Sequence, residues 1–140
     1  FSSSLRKQTR SQPKFYCIDH ALARSNGFWQ GDGLTTSHEL MICAELRRRG
    51  KELFYWRSEK DFEVDFIVTK AGKPVQAIQA SYSIEDPQTR ERELRALIAA
   101  NTELGVKELT IITHYEHSEV KIDGAVVRIV PFLFWATGLI

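Results

Sequence analysis

Hydrophobic and polar positions alternate most clearly within residues 61–82, where the sequence predicts two consecutive strands joined by an Ala-Gly-Lys-Pro turn. In the first strand every second residue is Phe or Val, and the residues between them include Glu63 and Asp65. Because side chains alternate across a strand, we expect Glu63 and Asp65 on one face, opposite the Phe/Val face. By the same count, Gln79 and Ser81 share one face of the second strand.

Two helices are predicted, one on each side of these strands. Thr36 is expected to open the first helix, because Glu39 follows at the spacing of a capping box. Three arginines and then Gly50 are expected to end it. Asp86-Pro87 predicts the N-cap and first position of the second helix, which Gly105 is expected to end.

The remaining patterns predict further strands and an α/β fold. Strand-like runs occupy residues 14–19, 53–57 and 109–113, and Asp123-Gly124 is typical of a two-residue hairpin turn. The tail, residues 131–140, is apolar enough to pack back onto the body. The order is therefore helix, three meandering strands, helix, strand and hairpin. The strands on either side of the second helix are expected to be parallel.

Composition indicates one globular domain, with residues 1–13 as a linker or basic arm and residues 14–140 as the domain. The 140 residues are 43% hydrophobic and 26% charged, as in ordinary globular proteins. No apolar run is long enough to span a membrane. Cys17 and Cys43 are expected to be free, buried thiols, and the protein is expected to be cytoplasmic.

The basic residues are unevenly distributed along the chain. The first 14 residues contain Arg6, Lys7, Arg10 and Lys14 and no acidic residue, whereas the rest has a small excess of acids. These four are candidate nucleic-acid-binding residues, because a basic arm can contact phosphates. Residues 47–49, all arginine, are a second candidate cluster. The alternative is that the arm is only a linker from a preceding domain.

The chain also resembles a known family, the C-terminal domain of unknown function found behind the ATPase module of many prokaryotic AAA-type ATPases. The matching landmarks are spread in order over nearly the whole chain. They are residues 14–19 (KFYCID), Glu39, residues 45–50 (ELRRRG), 55–57 (YWR), 63–68 (EVDFIV), 78–82 (IQASY) and 86–94 (DPQTREREL).

This resemblance implies a restriction-endonuclease-like fold, with a helix–three strands–helix–strand core to which the hairpin is added. Nucleases of that fold place an Asp on one strand and an acidic-x-Lys triplet on the next, and they bind Mg²⁺. Asp65 matches the principal metal ligand, and Glu39 matches an accessory carboxylate. Gln79 and Ser81 stand where the second acid and the lysine should be. The triplet is therefore degenerate, although Mg²⁺ near Asp65 remains an expectation.

Each of these candidate residues has a simpler interpretation. Glu39 could only close the capping box, and Glu63 and Asp65 could be solvated or paired with Arg57 or Lys60 across the hairpin. A separate alternative keeps the catalytic role: the lysine missing from the triplet could have migrated to Lys70 or Lys73, in the turn before the second strand.

Three functional hypotheses follow. The first is a catalytically degenerate, nuclease-like module that serves its ATPase by binding nucleic acid or by regulation. The second is an active Mg²⁺-dependent nuclease with a migrated lysine. The third is a structural docking or oligomerisation domain, which the apolar tail favours. The expected partners are the ATPase domain of the same chain and DNA or RNA, with no membrane. A shared fold does not choose among these hypotheses, because function depends on the site.

Overall fold

The computed structural model describes residues 33–139 and, before them, Lys14, Tyr16, Cys17, Asp19, Leu22 and Ser25. Residues 33–139 contain three helices and six strands. In chain order these are α1 (Leu34–Arg48), β1 (Glu52–Arg57), β2 (Glu63–Lys70), β3 (Lys73–Ala80), α2 (Pro87–Leu104), β4 (Glu108–Thr113), β5 (Ser118–Ile122), β6 (Ala125–Pro131) and α3 (Phe132–Thr137). The predicted α/β class and the predicted order of elements are confirmed.

The six strands form one mixed sheet in the order β1-β2-β3-β4-β6-β5. β1, β2 and β3 are antiparallel neighbours, whereas β4 is parallel to both β3 and β6. The helix α2 connects β3 to β4, as a connection between parallel strands requires. The hairpin of β5 and β6 extends the sheet beyond β4. Its second strand, β6, lies beside β4, and β5 lies at the edge.

Both faces of the sheet are buried, each against a different helix. Leu97 of α2 packs with Val64 and other apolar residues on one face. Leu46 of α1 packs with Phe66 and Val68 on the other. The predicted single Phe/Val face of β2 is therefore wrong, because Val64 lies on the opposite face from Phe66 and Val68.

A β-bulge in β2 causes this change of face. Phe54 pairs with Ile67 and Trp56 pairs with Val64, so Asp65 and Phe66 together lie opposite the single residue Tyr55. The extra residue interrupts the strict alternation of side chains. Strand alternation alone therefore does not determine where the side chain of Asp65 lies.

The first helix begins earlier than its sequence predicts. Gly33 is the N-cap, with φ 75°, and no side chain caps the helix, so the predicted capping box between Thr36 and Glu39 is wrong. The predicted end is confirmed, because Gly50 has φ 67° and donates to Arg47 O over 2.9 Å. Glu39 is thereby left on α1 with its carboxylate available for other contacts.

The other local signals are confirmed. The Asp86 carboxylate accepts a 2.7 Å hydrogen bond from the Thr89 backbone N–H, and Gly105 ends α2 in the left-handed conformation. Asp123 and Gly124 both have positive φ, as a type I′ turn requires. Phe132 and Trp135 of α3 pack against the α1 side of the core, so the tail does fold back.

The N-terminal residues that the structure describes lie outside any strand. Lys14, Tyr16, Cys17 and Asp19 have no strand pairing, so the strand predicted over residues 14–19 is wrong at these described positions. Cys17 and Cys43 are both free, as expected, but Cys17 is exposed rather than buried. Within the described residues, no helix is both long enough and apolar enough to cross a membrane.

Candidate functional site

Strands β2 and β3 separate where Asp65 lies. Their backbone pairing extends only as far as Phe66 and Ile78, one residue short of Asp65. Beyond that point, the Asp65 N–H donates to Gln79 Oε1 over 3.1 Å, and the Ala80 N–H donates to Asp65 Oδ2 over 3.0 Å. Side chains thus satisfy backbone groups that a continued ladder would have paired. The candidate site lies at this break in the pairing, and we refer to it as a cleft.

Three carboxylates meet around one ammonium group in this cleft. Lys14 Nζ lies 2.9 Å from Asp65 Oδ1, 2.9 Å from Glu63 Oε1 and 3.4 Å from Glu39 Oε1. Glu39 projects from α1, whereas Glu63 and Asp65 belong to β2. The structure therefore brings Glu39 and Asp65 into one cleft. We call Lys14, Tyr16 and these three acids the carboxylate cleft.

Tyr16 completes the cleft on the α1 side. Its hydroxyl donates a 2.6 Å hydrogen bond to Glu39 Oε1, the same oxygen that faces Lys14. Its ring lies 5.7 Å from the ring of Phe66, centroid to centroid, and joins the apolar core there. Tyr16 therefore connects the polar cleft to the hydrophobic core.

The electrostatics of the cleft follow from this burial and pairing. Burial acts to lower the pKa of Lys14, but the charges of Asp65 and Glu39 outweigh it and raise that pKa above its ordinary value. Burial raises the pKa of Asp65, Glu39 raises it further, and Lys14 only partly offsets them. Burial and the charge of Glu39 also raise the pKa of Tyr16. Lys14 therefore stays protonated over the whole physiological range.

A second buried polar pair lies behind the cleft, on the α2 side of the sheet. Gln79 Nε2 donates a 2.5 Å hydrogen bond to Glu93 Oε2, while its Oε1 accepts from the Asp65 backbone. Glu93 is only 3% exposed, and its other carboxylate oxygen lies 2.5 Å from a guanidinium nitrogen of Arg92. Both ends of the Gln79 amide are thus bonded within the protein.

Glu93 was not among the residues predicted from the sequence, although one signal could have revealed it. It lies on the helix face that also buries Leu94, Leu97 and Ala100. A charged residue on an apolar helix face needs a partner, because an unpaired buried charge is costly. Gln79 and Arg92 are its partners.

The carboxylate oxygens of the cleft are placed around an ammonium group and would have to move inward to bind Mg²⁺ at that point. Its oxygens lie 2.9–3.4 Å from Lys14 Nζ, whereas protein ligands approach Mg²⁺ to about 2.0–2.1 Å and Ca²⁺ to about 2.3–2.6 Å. Gln79 Oε1, the oxygen that would replace the second acid, is directed at the Asp65 backbone. Among the residues that the structure describes, no three or more His, Cys, Asp or Glu side chains are arranged to hold a metal.

Several other candidates have partners outside the group of acids in the cleft. Ser81 is buried, and its hydroxyl donates to the Ser83 carbonyl oxygen. Lys70 and Lys73 are opposite each other in the backbone pairing of β2 and β3, next to the turn. Five residues of strand, about 17 Å, separate Lys70 from Asp65. Neither lysine therefore lies close to Asp65, whereas Lys14 contacts it.

Several basic residues have acidic partners other than those expected from the sequence. Arg57 pairs with Asp61, 2.6 Å away, and not with the acids of β2. Both Arg48 and Arg49 pair with Glu45 at 2.7 Å, so the arginines at the end of α1 are interleaved with an acid in space.

Of the four N-terminal candidates for phosphate binding, only one can be placed. Lys14 directs its ammonium into the cleft, where three carboxylates already neutralise it. Arg6, Lys7 and Arg10 lie outside the described residues.

The comparison with family models identifies the chain's family. The model for a domain of unknown function, DUF4143, matches residues 35–135, and the chain belongs to that family. The matched range includes all three acids of the cleft together with Gln79 and Glu93, but it excludes Lys14. Searches of curated proteins and of solved structures found no significant match.

Proposed function

We propose that this chain is a nuclease-like module that no longer cleaves and that serves an AAA-type ATPase of the same polypeptide by binding nucleic acid or by regulation. The restriction-endonuclease-like fold and the ATPase partner are part of the proposal. They are supported by the element order, from α1 through β4, and by the sequence landmarks distributed along the chain.

The loss of catalysis is supported above all by the position of Lys14. A metal-dependent nuclease needs carboxylates that are open to Mg²⁺, which activates water and stabilises the charge on the scissile phosphate. Here the three carboxylates of the cleft are hydrogen-bonded to one resident ammonium group. Gln79 adds no charge, and both ends of its amide are already bonded.

Nucleic-acid binding is supported by the basic residues that precede the cleft. These residues are Arg6, Lys7 and Arg10. They are close in sequence to the cleft, because only three residues separate Arg10 from Lys14. Contacts from such a segment to phosphates are independent of base sequence, and they weaken with salt because each neutralised phosphate releases counterions.

A titration of labelled DNA or RNA at two salt concentrations tests this part of the proposal. We expect the affinity to fall steeply with salt. A variant with Arg6, Lys7 and Arg10 changed to alanine should bind more weakly. Its salt slope should be smaller by roughly one for each phosphate that the three side chains neutralise in the wild type. Lys14 stays unchanged in this variant, because its removal would also break the ion pairs of the cleft, and an effect on the structure could then not be separated from an effect on binding.

The matched control changes three exposed lysines elsewhere, which alters the net charge by the same amount. Lys51, Lys107 and Lys121 are suitable. An equal loss of affinity in both triple variants would show that the N-terminal arm has no specific role in binding. An absence of binding by the wild type at low salt would contradict nucleic-acid binding and favour a docking role.

One observation favours a second candidate function, an active nuclease. Lys14 contacts Asp65 at 2.9 Å, as a catalytic lysine contributed from outside the strand triplet would. In that case Lys14 would stabilise charge on the phosphate, and the acids of the cleft would have to rearrange around a metal. A cleavage assay separates the two functions.

A further inference from the structure

The contacts of the carboxylate cleft match the hydrogen-bonding capacity of one ammonium group. An ammonium has three N–H donors, and Lys14 Nζ has three carboxylate oxygens within 3.4 Å, one from each acid. The second oxygen of Asp65 accepts from the Ala80 N–H, and the shared oxygen of Glu39 also accepts from Tyr16. The donors and acceptors of the cleft are thus arranged around Nζ.

Other cations fit this arrangement less well. A guanidinium is planar and spreads its donors over separate nitrogens in a fork, so it does not offer three donors from a single nitrogen as an ammonium does. A divalent metal would require each oxygen to move inward by several tenths of an ångström or more. Asp65 cannot move freely, because its second oxygen is held by the β3 backbone.

We propose that the carboxylate cleft is a binding site for a primary alkylammonium group and that Lys14 is its resident ligand. The lysine thereby anchors the N-terminal segment to α1 and β2 by an ionic lock, without strand pairing. Tyr16 provides the second point of attachment. This inference goes beyond the proposed function and does not depend on it, since the lock would operate whether or not the fold derives from a nuclease.

The test is chemical rescue of a Lys14→Ala variant. This substitution removes three carbons and the amine, which together correspond to n-propylammonium. The wild-type side chain is 29% exposed, so a small ligand can enter the vacated space. We expect the Tm of the variant to fall by roughly 5–10 °C. n-Propylammonium should then recover part of that loss, with little effect on the wild type.

Two other cations and a second variant control this experiment. Tetramethylammonium has the same charge without N–H donors, so it should not rescue at equal ionic strength. Mg²⁺ should rescue less than n-propylammonium. Lys107→Ala removes an exposed lysine and should show neither the fall in Tm nor the rescue. Better rescue by Mg²⁺, or equal rescue by tetramethylammonium, would overturn the ammonium site.

A measurement on the wild type makes the proposal testable even if Lys14→Ala does not fold. In ¹H–¹⁵N spectra of lysine side chains, the Lys14 ammonium should exchange its protons with water much more slowly than that of exposed Lys107. Asp65→Asn should accelerate this exchange. Exchange at Lys14 as fast as at Lys107 would refute the lock.

Discussion

The side-chain amide of Gln79 donates a 2.5 Å hydrogen bond to the carboxylate of Glu93, so β3 contributes the neutral partner and α2 the charged partner of one buried pair. In the proposed fold, Gln79 would occupy the triplet position that an acid fills in nucleases. An acid is unfavourable at this position, since Glu93 already supplies a carboxylate there. Gln79 is thus part of a bonded network.

Gln79→Glu should therefore destabilise the protein. The substitution would place two carboxylates in contact without a donor between them, at a position where Glu93 is almost fully buried. A buried charge that is left without a partner costs about 3–5 kcal/mol, as when one member of a buried ion pair is removed. We expect the free energy of unfolding, measured by urea denaturation, to fall by an amount near the lower end of that range.

The exchanged double variant is the control for this prediction. In Gln79→Glu with Glu93→Gln, the new glutamine can donate to the new carboxylate, so most of the lost stability should return. A non-additive recovery of this kind measures the coupling between the two positions. If Gln79→Glu alone were as stable as the wild type, the pair would have no structural role.

The C-terminal helix α3 should depend on Arg49. Its guanidinium donates to the carbonyl oxygens of Trp135 and Ala136 over 2.8 and 3.1 Å, and it lies 4.4 Å from the centre of the Trp135 ring. Arg49→Gln should cost about 1–2 kcal/mol, because it removes hydrogen bonds and a cation–π contact together. Faster hydrogen exchange in residues 132–137 would report the loosened helix.

Arg48→Gln is the matched control. Arg48 pairs with the same acid, Glu45, but its side chain is 70% exposed. An exposed ion pair of this kind contributes little to stability, because water screens it. Equal hydrogen-exchange effects of the two substitutions on α3 would show that Arg49 does not anchor the helix.

The stability of the fold should fall as the pH drops below about 6.5, the ordinary pKa of histidine. Burial lowers the pKa of His38, which is 1% exposed. Its Nε2 lies 3.0 Å from the Ile112 carbonyl oxygen and must donate to it, and its buried Nδ1 has no hydrogen-bond partner among the residues that the structure describes. Since the folded state binds the proton less readily than the unfolded state, acidification favours unfolding.

Denaturation at pH 7.5 and at pH 5.5 measures this effect. His38→Gln should reduce the difference between the two free energies of unfolding, whereas exposed His117→Gln should leave it nearly unchanged. An unaltered pH dependence in His38→Gln would assign the effect to other groups.

Much of the fold could be predicted from the sequence because its signals are local. The Asp86 cap, the Asp123-Gly124 turn and the terminating Gly50 each act within a few residues, and each is present in the structure. The bulge at Asp65 could not be predicted in this way. It arises from the register between β2 and β1, which no pattern within β2 encodes.

The site was harder to predict, because its central contact, between Lys14 and Asp65, joins residues that are 51 positions apart in the sequence. Lys14 belongs to a basic run, which favours a phosphate-binding role when only the sequence is considered. Glu93 lies in a mixed run of arginines and glutamates that is typical of a solvated helix face. In both cases the partner that defines the role comes from a distant part of the chain.

A cleavage assay tests the central claim most directly. Single- and double-stranded DNA and RNA would be incubated with the wild type and with Asp65→Ala, each in Mg²⁺ and in Mn²⁺. We predict no phosphodiester cleavage by the wild type above the level of the Asp65→Ala variant. Metal-dependent cleavage that Asp65→Ala abolishes would contradict the proposal. If Lys14→Ala abolished it as well, Lys14 would be identified as the migrated catalytic lysine.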